Sequence, residues 1–531
     1  MITRRSFLQR SGLATGALLI PRLPAFAQAA APKALTLDPN TLAKFVDPLP
    51  IPPIAQPLRQ EASPDDPKIK LPYYRVAMKS IEARIHRDLK PATMWGYGGS
   101  VPGPSFETRS GGGVLVEWAN ELPAQHLLKI DHHVHGAERD KAEVRTVVHL
   151  HGGRTPPESD GYPENWLVPE KSAVFHYPNQ QDAAMLWYHD HALGINRLNV
   201  YAGLCGVFFV RDSVEEALNL PSGRFEIPLV IFDRLLTPEG QLYYPVSDKA
   251  DAPWMPEVFG NAILVNGKLF PFLEVEARKY RFRLLNAANG RFFHLSLSNG
   301  AAFHQIGTDQ GLLPAPIDLK QVTLAPGERT DLIVDFSLHA GEQIELRNDV
   351  FRPVMQLRVG RAKGTDDSTL PATLRPLGRI PETQAVRTRE LMLAELNDLR
   401  GDSVNMLLDN KPWHAPISEK PALNSVEIWK LTNVTDDAHP IHLHLVRFQI
   451  LDRQRFDVFA YQNHGVLRAF GKPEPPEPGE NGWKDTVRAN PGMITRIIVP
   501  FTGYTGRYVW HCHILEHEDN EMMRPYEVVA G

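Results

Sequence analysis

Val114-Leu-Val-Glu-Trp-Ala-Asn120, Tyr280-Arg-Phe-Arg-Leu-Leu-Asn286 and Val426-Glu-Ile-Trp-Lys-Leu-Thr-Asn433 share one pattern, a short run of alternating apolar and other residues that closes on asparagine. Alternation with period two is the signature of a β-strand with one covered face. The three runs read as the same strand of a domain that occurs three times, at spacings that suit consecutive β-sandwich units of ordinary size. A chain of 531 residues is too long for a single core, and 46 Pro with 38 Gly favour many turns over long helices. The expected fold is therefore all-β, with units over 30–212, 223–362 and 389–531. The polar run 212–222 and the Pro- and Thr-rich run 363–388 serve as connections. Lys472-Pro-Glu-Pro-Pro-Glu-Pro-Gly-Glu480 is too rich in proline for a strand interior and reads as a solvated loop. The charges of Arg278-Lys-Tyr-Arg-Phe-Arg283 alternate with apolar residues, as on a strand with one face in water.

The N-terminus carries Thr3-Arg-Arg-Ser-Phe-Leu8, an apolar run over 13–20, and small residues at Ala25, Ala27 and Ala29. This is the layout of a twin-arginine export signal, assigned to 1–29. The run is too short to span a bilayer, which takes about 20 apolar residues, so no stable membrane insertion is expected. Recognition by the twin-arginine export machinery and a periplasmic location follow as expectations. A formal net charge of -5 provides no basic surface for phosphates, which argues against nucleic acid and for small-molecule partners. The two cysteines form no disulfide framework. Cys205, inside Tyr201-Ala-Gly-Leu-Cys-Gly-Val-Phe-Phe-Val210, reads as a core residue.

Cys512 is different, because it sits between two histidines. For 21 histidines in 531 residues, random placement gives about one His-x-His, whereas the chain has five. His133-Val-His135 lies among polar, turn-forming residues and reads as a surface loop. The other four, His149-Leu-His151, His189-Asp-His191, His442-Leu-His444 and His511-Cys-His513, have apolar or aromatic surroundings. On a strand, residues i and i+2 project from one face, so each pair aims two imidazoles at one point. Two pairs near each end of the chain imply a multinuclear metal site where the first and last domains dock. Alternation places Cys512 on the opposite face from His511 and His513, so one strand serves two metal sites. His517 and Met522 follow Cys512 by five and ten residues, and His439 precedes the His442 pair across Pro440. Two imidazoles, a thiolate and a weak thioether describe a blue-copper electron-transfer centre. Met523 is a rival axial ligand on spacing alone, and Asp190, between two ligands, is expected to face away and support packing.

The segments His149-Leu-His-Gly-Gly-Arg-Thr-Pro-Pro-Glu-Ser-Asp160, Trp187-Tyr-His-Asp-His191, His439-Pro-Ile-His-Leu-His444 and His511-Cys-His-Ile-Leu-Glu-His517 together resemble the copper motifs of the multicopper oxidases. The likeness is greatest to the bacterial spore-coat laccase and bilirubin oxidase group, and it extends to Phe45-Val-Asp-Pro-Leu-Pro-Ile-Pro52 and Met522-Met-Arg-Pro525. It implies three cupredoxin-like Greek-key domains holding four copper ions. By residue, it gives the blue (type 1) copper to His439, Cys512 and His517 with Met522 axial, and type 2 to His149 and His442. The type 3 pair goes to His151, His189, His191, His444, His511 and His513. It implies an oxidase that takes single electrons from a small-molecule donor, such as a phenol, aromatic amine or bilirubin-type compound, and passes them to dioxygen; a monomer is the expected state. Glu518 and Asp160 become candidate proton carriers. Spore localisation is not carried over, since an export signal does not suit it. Oxidation of cuprous, ferrous or manganous ions is an alternative, though the 11 methionines form no cluster beyond Met522-Met523. A copper-binding electron carrier would leave eight histidines without a purpose, and a copper nitrite reductase would not need the type 3 pair. Asn410-Lys-Pro-Trp-His414 borders the donor pocket by resemblance, and a surface turn is an equal alternative.

Overall fold

The computed structural model describes residues 36–247, 254–349, 352–362, 365–397 and 403–531. The expected export signal lies outside the described residues. Three pairs of sheets follow one another along the chain. The first unit packs a five-stranded sheet, built on Lys70–Ala83 and Val114–Asn120, against a four-stranded one that orders Phe106–Arg109, Cys205–Arg211, Ala184–Asp190 and Val148–His151. The middle unit has eight-stranded and five-stranded sheets, and the last has six-stranded and four-stranded ones.

The repeat visible in the sequence is exact in topology. Val114–Asn120 pairs in parallel with Lys70–Ala83, Lys279–Asn286 with Glu226–Leu236, and Val426–Asn433 with Arg387–Asn397. The closing asparagine has one job in all three, and all three are fully buried. The Oδ1 atoms of Asn120, Asn286 and Asn433 accept from the N–H two residues on, at 3.1, 3.0 and 2.9 Å. Their Nδ2 groups donate to the carbonyls of Leu167, Leu324 and Ala489 in a neighbouring segment. A short amide side chain both turns the chain and ties the strand end, which is why asparagine closes each run.

One continuous apolar cluster joins the first and last units, with Phe106, Trp118 and Tyr188 on one side and Trp429, Trp510 and Tyr526 on the other. Docking of these units is therefore driven by burial of apolar surface, not by the histidines. A second cluster fills the middle unit, and a third seals it to the first through Trp187, Cys205, Phe209, Phe232 and Leu285. Cys205 is buried there as a core residue. The segment 36–50 hydrogen-bonds to the middle unit, with Phe45 N donating to Phe270 O and Leu49 N to Phe272 O. Among the described residues, no helix is long and apolar enough to cross a membrane.

Two expectations need correction. Arg281 and Arg283 share a face of their strand, but that face is not solvated, since both side chains are under 5% exposed. Helix Ser213–Ala217, Glu226 and Asp331 cover it, and three carboxylates meet three guanidiniums there. Within the Pro-rich run, Lys472, Pro473 and Glu474 end an exposed edge strand, Ala469–Glu474, where a proline costs no ladder bond. Glu480 is buried rather than solvated, because Arg453 holds it through two hydrogen bonds at 2.6 and 2.7 Å.

Candidate metal centres

The four-stranded sheets of the first and last units face each other across the apolar cluster, and each brings two histidine pairs. Val148–His151 lies antiparallel to Ala184–Asp190 with His149 opposite His189. His439–Leu443 lies antiparallel to Gly506–Cys512 with His442 opposite His511 and Ile441 opposite Cys512. Pairing in register stacks the alternating histidines of adjacent strands on one face. Eight imidazoles converge, and none is more than 1% exposed. Rings from opposite domains interleave: His149 stacks on His444 and His151 on His442, each with centroids 3.6 Å apart.

Three donor sets emerge in which nitrogen atoms lie within 4.8 Å of one another: His151 with His189 and His513, His191 with His444 and His511, and His149 with His442 and His444. Every set draws on both domains. Hydrogen bonds at the back of the rings fix the tautomers. Nδ1–H groups donate to the carbonyls of Asp160 (His149), Asp190 (His189), Asp485 (His442) and Cys512 (His511) at 2.7 to 3.0 Å. His444 Nδ1 donates to Asp160 Oδ2 at 2.7 Å. The Nε2 atoms of His149, His189 and His442 then point inward with no protein partner. His151 is reversed: its Nε2 donates to Asp485 Oδ1 at 3.1 Å and its Nδ1 is the partnerless atom. Buried polar atoms without partners are costly unless a ligand uses them. Burial also drives His149, His151, His189, His191, His442, His444 and His513 toward the neutral form; His189, His191 and His442 are each lowered to about 3. Neutral rings with inward lone pairs are what a metal ion requires.

On the other face of the strand, Cys512 Sγ lies 3.6 Å from His439 Nδ1 and 3.8 Å from His517 Nδ1, and the two nitrogens are 3.3 Å apart. A point equidistant from all three is about 2.1 Å from each, the length of a metal–imidazole bond and within about 0.2 Å of a metal–thiolate bond. Thr435 Oγ1 sits 2.7 Å from His439 Nε2 and orients that ring. Burial pushes the Cys512 thiol well up, so its thiolate needs a cation beside it. Met522 packs in the same apolar cluster as Cys512, and its carbonyl accepts from Cys512 N at 3.0 Å. Met523 belongs to a separate cluster with Tyr162, Leu193 and Trp413. The donors fit copper: a soft sulfur with two imidazoles on one side, imidazoles alone on the other.

Two buried carboxylates back the imidazoles. Glu518 Oε2 is 3.1 Å from His511 Nδ1, and its Oε1 accepts from Asn196 Nδ2 at 2.7 Å. Burial pushes its carboxyl up, but His511, His191 and the Asn196 bond reverse this and leave it lowered. Burial raises the Asp160 carboxyl to about 8 against the Thr155 hydrogen bond. Asp190 faces away from the imidazole sets, accepting from Val147 N, Ala192 N and Asn199 Nδ2.

Asp485 is the residue that sequence reasoning missed. No motif surrounds it, and its closeness to His151 and His442 is visible only once Thr486–Ala489 is paired with His439–Leu443. The surface loop expected at His133 and His135 is half right. His133 is 68% exposed, whereas His135 reaches the last unit, with its Nδ1 3.0 Å from Glu521 Oε1 and its Nε2 3.0 Å from His414 Nε2. In the 410–414 segment Trp413 is buried and His414 exposed.

Sequence profiles described as multicopper oxidase match residues 138–215 and 388–531. The laccase of Bacillus subtilis (strain 168) is 45% identical over 515 residues, spanning 92% of this chain and 99% of that protein. The laccase of Bacillus stratosphericus is 44% identical with the same coverage. Among solved structures, the laccase of Pediococcus acidilactici superposes with a TM-score of 0.74 at 28% identity, covering 92% of this chain and 95% of that one.

Proposed function

This chain belongs to the multicopper oxidase family, as a copper-dependent oxidoreductase of laccase type with oxygen as acceptor, and from that premise we propose how its residues divide the work. His439, Cys512 and His517, with Met522 beside them, would hold the blue copper. His149 and His442 would hold the type 2 ion, and His151, His189, His191, His444, His511 and His513 the type 3 pair. The observation that carries this reading is the strand Gly506–Cys512 with His513 beyond it, whose sulfur joins one donor set while its flanking imidazoles join others. Copper bound in these places supplies one-electron redox steps and the four-electron capacity that takes dioxygen and four protons to two waters.

The residues do the rest. From the Cys512 sulfur to the His511 and His513 rings the route is covalent, so an electron accepted beside the thiolate has a short bonded path to the imidazole cluster. Glu518 and Asp160 carry protons to the same place, each already in contact with a ring at the cluster. The near-complete burial of all eight imidazoles keeps bulk water from the reacting oxygen.

The donors we propose are phenols, aromatic amines and bilirubin-type compounds. Oxygen uptake by the copper-loaded protein, measured with 2,6-dimethoxyphenol, with bilirubin, and with cuprous, ferrous and manganous ions, tests this. Organic donors are expected to turn over fastest; faster uptake with the metal ions would move the reading to metal-ion oxidation. Cys512→Ser should remove the blue band and turnover together.

The Thr3-Arg-Arg-Ser-Phe-Leu8 motif supports export to the periplasm by the twin-arginine machinery, where the chain acts as a monomer. Replacing Arg4 and Arg5 by lysine should leave the protein in the cytoplasmic fraction, and unchanged fractionation would reject the signal.

A further inference from the structure

The middle domain supplies none of the clustered histidines; its own His294, His304 and His339 bond to Thr323, Asp318 and Glu342. It does send side chains to the Asp485 carboxylate behind the cluster, Gln310 and, with the larger share of contacts, Arg329. Arg329 is 1% exposed and all five of its N–H groups are engaged. Nε donates to Met185 O at 3.1 Å, on the first-domain strand that carries His189. Nη1 donates to Gly327 O and to Asp485 Oδ1, at 3.0 and 2.7 Å. Nη2 donates to Asp309 O and to Asp485 Oδ2, at 3.0 and 2.5 Å. One guanidinium thus ties together all three domains beside the imidazoles.

Asp485, gripped through both oxygens, passes the constraint on. Its Oδ1 accepts from His151 Nε2 and its main-chain carbonyl from His442 Nδ1. The first contact makes His151 the ring that offers Nδ1 instead of Nε2. Gln310 Nε2 donates to Oδ2 at 2.6 Å and holds the carboxylate from the other side. Register is set next door, where Lys484 bonds Glu328 at 2.7 Å, so the dipeptide Glu328-Arg329 meets Lys484-Asp485 with opposite signs at both places. Two glycines keep the space open. A Cβ on Gly152, next to His151, would come within 2.6 Å of both the guanidinium and Asp485, and one on Gly327 would come within 2.6 Å of His513.

We propose that Arg329 is a positioning residue for the imidazole cluster: through Asp485 it fixes the tautomer and orientation of His151 and His442, and so couples the middle domain to copper retention. A carboxylate that orients a ligand histidine typically accounts for about 10–100-fold in metal affinity, and lysine cannot reproduce the forked grip.

This rests on the copper assignment proposed above. The test compares wild type, Arg329→Met, Arg329→Lys and Asp485→Asn as copper-loaded proteins, by copper per chain under chelator competition, by the blue band, and by the electron paramagnetic resonance signal of imidazole-held copper. Each variant is expected to keep the blue band while the imidazole-held ions are lost at about 10–100-fold lower chelator concentration, with Arg329→Lys between Met and wild type. Wild-type retention in Arg329→Met or in the near-isosteric Asp485→Asn would overturn the proposal, and so would loss of the blue copper in equal proportion. Wild-type protein holding copper only beside Cys512 would overturn the assignment of the cluster itself, and this inference with it.

Discussion

His135 Nδ1 lies 3.0 Å from Glu521 Oε1, a contact between the first domain and the residue that precedes Met522. Glu521 adopts a left-handed backbone, at φ 77, and its other oxygen accepts from Trp413 N at 2.5 Å. The hydrogen bond to Glu521 raises the His135 imidazole against the opposing effect of burial, and Glu138 and Glu164 add to the rise. His414 is the other titratable group against it. A raised folded pKa means that the contact stabilises fully below the unfolded value, about 6.5, and is lost as pH climbs through the higher folded value. His135→Gln should therefore destabilise the protein by about 0.5–1 kcal/mol in mild acid, with the gap to wild type closing in alkali. Melting curves of both proteins across that range check it; a gap that widens with pH contradicts the assigned ion pair.

Glu518 touches two rings of the cluster and keeps one oxygen on Asn196. Glu518→Gln retains the shape and most of the hydrogen bonding but cannot exchange a proton at neutral pH. Oxygen reduction should slow by about 100-fold, while the blue band, and its bleaching by donor in the absence of oxygen, stay as in wild type. Unchanged oxygen turnover would remove Glu518 from the proton route.

The repeated strands and the histidine pairs were legible because both are local patterns. Alternation exposes a face within a handful of residues, and an i, i+2 pair needs no partner to be recognised. The asparagine of each repeated strand was legible as a mark, though its task appears only in three dimensions. Asn433 is fully buried and serves Thr435 N, Asp437 O and Ala489 O at 2.9, 2.7 and 2.9 Å. Asn433→Ala should cost about 3 kcal/mol, since it strands buried backbone groups, and a melting temperature equal to wild type would show that water replaces the amide. What stayed hidden depends on distant chain. Asp485 meets His151 across 334 positions and Arg329 across 156, separations over which no local pattern carries. His135 looked like loop because its neighbours are polar, and its partners His414 and Glu521 belong to another domain.

The misreading of Arg281 and Arg283 has the same origin, because alternation tells which residues share a face but not what covers it. Glu226 sits at the centre of that cover, with its Oε1 2.7 Å from Arg211 and 2.9 Å from Arg283. Burial pushes the Glu226 carboxyl up, yet Arg281, Arg283 and Arg211 outweigh it and hold the group at about 2. A lowered folded pKa contributes stability above the unfolded value, about 4.3, and that contribution fades as pH falls through about 2. Glu226→Gln leaves three guanidiniums facing the two remaining carboxylates, Glu215 and Asp331. Breaking a buried pair in this way costs about 3 kcal/mol or more, so denaturant midpoints of variant and wild type should be well separated at neutral pH and converge in strong acid. Because Arg211 closes the first domain and Glu226 opens the second, the loss should also favour separation of these two units, read as earlier proteolytic cleavage near 212–222. A neutral-pH midpoint within error of wild type would show that the three arginines are held without this carboxylate.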